Sequence, residues 1–175
     1  TIQGKLERIL KELDGEFVDV RGSGRTDAGV HAEAQVADFR LRNSMPPEMV
    51  KTFINRYLPD DICVRRIQNA PDRFNSRLNA VKKTYRYQID LGHKKDVFQR
   101  NYYYHLGKEL DIREMETAAA ILVGTKDFKS FCGNRKMKKS TIRSLESVFF
   151  EKPDDNKLHI RYTGNGFLQQ MVRIM

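Results

Sequence analysis

The sequence predicts an α+β fold: a central, mainly antiparallel β-sheet flanked by helices. Two observations carry this. Segments with helical spacing and segments with strand spacing are mixed, without the strict strand–helix–strand alternation of a parallel sheet. Two β-rich runs, 141–150 and 157–162, flank the turn-forming stretch Pro153-Asp154-Asp155-Asn156 and read as an antiparallel hairpin.

Taken in order, residues 1–13 predict a helix, with Ile2, Leu6, Ile9, Leu10 and Leu13 recurring at helical spacing. Residues 17–20 predict a short strand with Val18 and Val20 on one face and Phe17 on the other, and residues 35–40 a returning strand. Pro46-Pro47 opens a helix over 48–57, proline being favoured in the first turn. Residues 62–67 read as a strand with Cys63 in the core, and 82–91 as a strand with Tyr85, Tyr87 and Ile89 on one face. Asp111 caps a helix that runs to Leu122, with Gly124 as its stop. Gly164 and Gly166 precede a final segment, from Phe167 onward, that reads as helical. Two halves follow, 1–80 and 81–175. The first helix has no strand before it, so both ends of the chain read as cut.

The 175 residues suffice for one substantial core. Hydrophobic residues make up 39% and charged residues 31%, a soluble globular balance. Lys and Arg number 32 against 23 acids, a formal charge of +9, which suits an anionic partner as well as a merely solvated basic surface. No apolar run approaches 18 residues, and no signal pattern opens the chain. Cys63 and Cys132 cannot build a disulfide framework, and His31, His93, His105 and His159 lack metal-ligand spacing; a reducing cytoplasm is the simplest setting.

The most informative stretch is Gly22-Ser23-Gly24-Arg25-Thr26-Asp27-Ala28-Gly29-Val30-His31. Glycines let the backbone take positive φ and let a ligand approach closely. Small neighbours leave Asp27 room for a bulky partner, and Arg25 supplies fixed charge that suits phosphate. The stretch reads as a loop presenting a carboxylate beside a polyanion.

This stretch resembles the motif of the tRNA pseudouridine synthase A family, in which its aspartate is catalytic. Three further blocks follow in that family's order: the segment from Arg77 to Tyr87, which resembles the one with the active-site tyrosine; Gly124 to Phe131; and Gly164 to Arg173, which resembles the one with the active-site arginine. The resemblance implies the pseudouridine synthase fold and an isomerase of tRNA processing. It further implies action on uridines of the anticodon stem–loop (tRNA positions 38–40) by a homodimer, with one tRNA bridging both protomers. It also implies an opening strand upstream of residue 1 and a C-terminal extension past Arg173, so the chain reads as a fragment.

Pseudouridine formation breaks the bond from ribose C1′ to uracil N1 and rejoins C1′ to C5, with no redox change and no second acceptor, so no cofactor or metal is expected. A carboxylate can attack carbon or stabilise developing positive charge, and Asp27 is the candidate. Attack on C1′, attack on the base and assistance to elimination all remain open, and all need the carboxylate ionised. The resemblance implies Arg173 as its partner; an adjacent arginine favours the ionised form. Tyr85 can stack on an extruded base or assist proton removal at C5. Phe167 and Leu168 can close a uracil pocket. Arg25 can contact phosphate or fill the gap left by a flipped nucleotide, and His31 can touch RNA.

Lys126, Lys129, Arg135, Lys136, Lys138, Lys139 and Arg143, interrupted by Asp127, form a candidate phosphate-binding stripe. Arg77, Lys82, Lys83 and Arg86 form a second basic group around Tyr85. Such contacts would read RNA by shape, since the A-form major groove is poorly readable. Two other readings stand beside this one. In a non-catalytic RNA-binding protein of the same fold, Asp27 would be only a turn residue. An aspartate-dependent hydrolase would need a metal or a second acid near Asp27; the loop offers neither, and Glu33 and Asp38 lie on or near the following strand and lack a ligand pattern.

Overall fold

The computed structural model describes residues 1–134 and 136–175. Arg135, one of the expected phosphate contacts, lies outside the described residues. The chain forms two compact units, one of Thr1–Thr26 with Ala32–Ala80 and one of Asp27–His31 with Val81–Met175. The segment Asp27–His31, which the division at residue 80 puts in the first half, thus packs with the second unit.

In the first unit, helix α1 (Ile2–Asp14) starts at Thr1, whose Oγ1 accepts from the Gly4 N–H at 3.1 Å. It stops at Gly15, where φ is +83° and the N–H closes on the Lys11 carbonyl. Helix α2 (Pro47–Tyr57) opens on its proline as expected. Ile9 and Leu10 from α1, Val50 and Ile54 from α2, and Val18 and Val20 between them make one buried cluster. Val18 and Val20 point in and Phe17 points out, 68% exposed, so the predicted alternation holds. The predicted strand itself does not form: the ladder is confined to β1 (Arg21–Gly22) and β2 (Ala37–Asp38), paired antiparallel, and residues 35–40 shorten to that pair.

The strand expected over 62–67 is also absent. Asn55 on α2 takes the place of a strand partner: its Nδ2 donates to the Val64 carbonyl at 2.9 Å, and its Oδ1 accepts from the Val64 N–H at 2.8 Å. A side-chain amide thereby satisfies the backbone without a ladder. Val64 and Ile67 pack on the core, and Cys63, turned the opposite way from Val64, is exposed rather than buried.

The second unit is a five-stranded sheet in the order β4-β3-β7-β6-β5, made of β3 (Lys83–Asp90), β4 (Tyr104–His105), β5 (Gly124–Asp127), β6 (Ile142–Asp154) and β7 (Lys157–Gly164). Every neighbouring pair is antiparallel except β3 with β4. The β6–β7 hairpin is the predicted one. Leu145, Ile160, Leu158 and Tyr162 bury one face of this sheet, joined by Phe128, Leu168 and Met171. Each such side chain contributes about 2 kcal/mol relative to exposure. Helix α3 (Ile112–Leu122) is capped by Asp111, which accepts from the Glu114 N–H at 3.0 Å, and packs on β6. It ends at Val123, and Gly124, at φ +112°, turns the chain into β5.

The last helix, α4, is shorter than expected: it covers Met171–Ile174, not Phe167 onward. Gln170, with φ +57°, cannot continue a right-handed helix, so Phe167 and Leu168 lie in irregular backbone ahead of it. No helix among the described residues is long and apolar enough to cross a membrane.

Candidate active site

Three separate stretches converge at one end of β3. The first is the glycine motif. Its stem is tied in the first unit: the Ser23 N–H donates to the Val36 carbonyl at 2.8 Å, and Gln35 Nε2 to the Gly24 carbonyl at 2.9 Å. Asp38 is held below the usual carboxylate range. Burial alone would raise it, but hydrogen bonds from Ser76 and the Arg21 guanidinium, 2.6 Å away, outweigh burial. Asp38 is therefore a strut of the stem. Beyond the stem the chain turns at Asp27, where the Val30 N–H closes on the Asp27 carbonyl at 3.2 Å. Gly29 has φ +79°, as the third position of a type II turn requires. Of the three motif glycines it alone needs that freedom; Gly22 and Gly24 do not have positive φ.

The second stretch is β3. Tyr85 pairs in register with Tyr162 of β7 and is half-buried. Burial pushes the Tyr85 phenol above its ordinary value, and the negative charge of Asp27 adds to the rise. The phenol is therefore neutral at physiological pH.

The third is the turn after β7. Gly164 has no room for a side chain: a Cβ there would lie 2.6 Å from the Ser144 carbonyl oxygen. Asn165 then locks onto β6, donating its N–H to the Ser144 carbonyl at 3.1 Å and accepting from the Ser144 N–H at 3.0 Å. This delivers Phe167 edge-on to Tyr85, with ring centroids 5.0 Å apart and an interplanar angle of 76°. Met171, 1% exposed, anchors α4 in the core, and Arg173 on its outer side brings Nε to 3.9 Å from Asp27 Oδ2. Both partners of this pair are about half exposed, and no hydrogen bond to the Asp27 carboxylate is found among the described residues. The carboxylate keeps its acceptor positions open.

Asp27, Tyr85, Phe167 and Arg173 are thus brought together in the second unit. Leu168 is buried in that unit's core, so only Phe167 of this pair presents a surface. Arg143 stands beside the Gly164–Gly166 turn, its Nε 3.7 Å from where a Gly166 Cβ would sit, and its guanidinium donates to the Ser140 and Ile142 carbonyls. Lys126 faces Arg143 across β5 and β6. Lys129, Lys136, Lys138 and Lys139 are all exposed on or between these strands. The ends of that segment are clamped by Asp127, which accepts from Thr141 Oγ1 at 2.5 Å and the Lys129 N–H at 2.9 Å. Arg86 is exposed on the face of β3 opposite Tyr85, as strand alternation demands, so it does not join Tyr85. Arg25 and Arg77 are exposed in the first unit. His31 stacks on Tyr102, ring centroids 4.7 Å apart. Tyr102 is a contact that sequence reasoning missed, although the run Tyr102-Tyr103-Tyr104 was a visible signal. Asn165 and Gln170 were missed too: the Asn165-Gly166 pair signals a turn but not its anchorage on Ser144, and a left-handed Gln170 carries no signal. Among the described residues no group of three or more His, Cys, Asp or Glu side chains is arranged to hold a metal ion.

Comparison with known proteins gives one consistent result. The family described as tRNA pseudouridine synthase matches residues 1–78 and 118–175. The chain is 44% identical to the tRNA pseudouridine synthase A of Bacillus sp. (strain KSM-64), covering all of this chain and 71% of that protein. It is 41% identical to the tRNA pseudouridine synthase A of Geobacillus sp. (strain WCH70), covering all of this chain and 71% of the relative. It is 40% identical to the tRNA pseudouridine synthase A 2 of Bacillus cereus (strain ZK / E33L), covering 99% of this chain and 70% of the relative. None of these names describes a non-catalytic RNA-binding protein.

Proposed function

The chain belongs to the tRNA pseudouridine synthase family, and on that premise we propose that it isomerises uridine to pseudouridine in the anticodon stem–loop of tRNA, at positions 38–40. The observation that carries the assignment of roles is the approach of Arg173 to Asp27 beside the Tyr85 ring. Asp27 is the reacting carboxylate. It has open acceptor positions and one cation at its side, as a group that must meet positive charge at C1′, or bond to carbon, requires. Arg173 orients that carboxylate and balances its charge. Tyr85 offers a ring face to the detached uracil while Phe167 supports the ring from its edge. Its neutral phenol is a hydrogen-bond partner and not a ready base.

In the net reaction the C1′–N1 bond breaks, the uracil rotates, C1′ bonds to C5, the C5 hydrogen leaves as a proton, and N1 takes up a proton. The target base must first leave the stack, at a cost of a few kcal/mol. Arg25 offsets part of this by filling the vacated space. The lysines between β5 and β6, with Arg143, hold phosphates, so affinity falls steeply with salt. The enzyme works as a cytoplasmic homodimer with one tRNA bridging both protomers.

The test is tritium release from tRNA labelled at uridine C5, with wild type and Asp27→Asn side by side. Release by wild type alone, with both proteins binding tRNA, is the expected result. Release by both proteins would remove Asp27 from the chemistry. No release by a folded wild type that still binds tRNA would leave an RNA-binding protein.

A further inference from the structure

Between β3 and β4 the chain makes a loop, residues 91–103, whose aromatic side chains stay on the surface. Phe98 is 88% exposed and Tyr102 53%. Lys94, Lys95 and Arg100 of the same loop are exposed as well. Single exposed apolar residues are ordinary, but apolar side chains grouped with a polar rim mark interaction sites, and this loop groups Val97, Phe98 and Tyr102 with its cations. This loop is not loose. At its start Asp90, 3% exposed, accepts from the Gly92 N–H at 3.2 Å and the Asp96 N–H at 3.4 Å. Lys157 bridges the Asp90 and Asp96 carboxylates at 3.2 and 3.5 Å. Asp96 Oδ1 then accepts from the N–H groups of Phe98 and Gln99 at 3.1 and 3.2 Å. At its end the Tyr102 N–H closes a turn on the Gln99 carbonyl at 2.9 Å, and Gln88 Nε2 donates to the Tyr102 carbonyl at 2.9 Å. A rigid loop that shows aromatic faces among three cations has the composition of a stacking platform for unpaired bases, with phosphates held by the cations. It also lies against the catalytic loop, because the Tyr102 ring packs on His31, four residues beyond Asp27.

We propose that residues 91–103 form a second RNA site, in which Phe98 and Tyr102 stack unpaired nucleobases that flank the target while Lys94, Lys95 and Arg100 hold the adjoining phosphates. The inference rests on the RNA-modifying reading above, and it assigns to this loop the recognition of unpaired, as opposed to paired, nucleotides. His31 is the link: a base stacked on Tyr102 is held in register with the loop that carries Asp27. The net charge of +9 favours a polyanion over a second copy of this basic chain as the occupant.

The test compares two RNA hairpins of equal length and charge, one with a seven-nucleotide unpaired loop and one closed by a three-nucleotide loop on a stem two base pairs longer. Binding is followed by fluorescence anisotropy at fixed salt. Tyr102→Ala and Phe98→Ala are expected to weaken binding of the larger-loop RNA by about tenfold each and of the extended stem by less than twofold, a loss typical of one stacked base. Tyr102→Phe keeps the ring and is expected to bind like wild type. Phe98 is so exposed that its replacement leaves folding intact. Equal weakening of both RNAs, or no weakening by either alanine variant, would overturn the proposal. So would a change in oligomer mass on Phe98→Ala with RNA affinity unchanged, which would make the loop a protein interface. The readout is binding alone, so a failure of the catalytic assignment, seen as absence of tritium release, is distinguishable from a failure of this one.

Discussion

Strand β3 has a carboxylate–cation pair near each end, and the two pairs behave oppositely. At its far end Asp90 and Lys157 are 3.2 Å apart, 4% and 12% exposed, with His105 Nδ1 3.1 Å from the same carboxylate and two backbone N–H groups completing its shell. At its near end Asp27 and Arg173 are 3.9 Å apart, 43% and 50% exposed, with no further donor on the carboxylate among the described residues. A buried charge must be fully paired, because desolvation costs more than one contact returns. A reacting carboxylate must be incompletely paired, because its remaining lone pairs are what the substrate meets. One strand thus supports both conditions, separated by burial alone. The buried pair fastens a loop, and the open pair is the one we propose does the chemistry.

This contrast can be broken by exchanging which property each pair controls. The largest effect is expected at the open end. Asp27→Asn should lower single-turnover pseudouridine formation at least about a thousandfold, and should move the melting temperature by no more than about 2 °C. A large loss of thermal stability would mean that Asp27 belongs to the frame. The converse is expected at the buried end. Asp90→Asn leaves the buried Lys157 with the more exposed Asp96 carboxylate, 3.5 Å away, as its remaining countercharge and should cost about 3 kcal/mol, a fall in melting temperature of about 6–12 °C, with the chemical step unchanged at a temperature where the variant is folded. Unaltered stability would show that the cluster is dispensable.

The two ends should also part in acid. Burial by itself would raise the Asp90 carboxyl, but contacts from His105, Lys157 and the Gly92 and Asp96 N–H groups hold it below its ordinary value. A depressed carboxyl contributes stability that is fully present above the unfolded value, about 4, and is lost as pH falls through the folded value beneath it. Lys157 is raised despite its burial, mainly by the hydrogen bond and charge of Asp90, so its own contribution fades only above the ordinary lysine value. Urea midpoints measured from pH 2 to pH 6 should therefore show a wild-type advantage over Asp90→Asn that closes below about pH 4. A gap that stayed undiminished from pH 6 to pH 2 would contradict this ordering.

Smaller effects sharpen the open end. Arg173→Lys keeps the charge but loses the planar fork, and should slow the chemical step by about tenfold; full activity would reduce Arg173 to a counter-charge. Tyr85→Phe should cost no more than about threefold, since a raised phenol serves as a ring and a hydrogen-bond donor. For the same reason the rate should show no alkaline limb from Tyr85 below about pH 10. A limb at lower pH that vanishes in Tyr85→Phe would restore the phenolate as a base.

Much of this was legible in the residues themselves. The helix over 1–13 was visible because Ile2, Leu6, Ile9, Leu10 and Leu13 recur at helical spacing, and the hairpin because a turn cluster separates two β-rich runs. Asp27 stood out through the resemblance of its ten-residue stretch, since an aspartate in a glycine-rich loop is by itself more often a turn residue. What failed has physical causes. Residues 62–67 look like a strand, but the Asn55 amide satisfies Val64, and a substitute of that kind leaves no periodicity to read. The final helix was extended back to Phe167 because a left-handed Gln170 is indistinguishable in sequence from a helical one. Cys63 was placed inside because alternation within the run could be anchored on either face.

The sequence by itself determined which local segments can be helices or strands, since spacing, caps and turn residues act over a few positions. It also determined the excess of cations over acids, 32 against 23, and the placing of Asp27 in a glycine-rich stretch. Only the tertiary structure decided which charges are met by others. Asp27 and Asp90 are the same residue, and nothing within three positions of either says that one will be sealed beneath Lys157 and the other left half-open beside Arg173. That difference is made by long-range packing: β7 carries Lys157 to one end of β3, and the Gly164–Asn165 turn carries Arg173 to the other. Exposure, and with it the dielectric in which each pair sits, is a property of the assembled sheet, and it is exposure that separates the pair that holds the fold from the pair that can react.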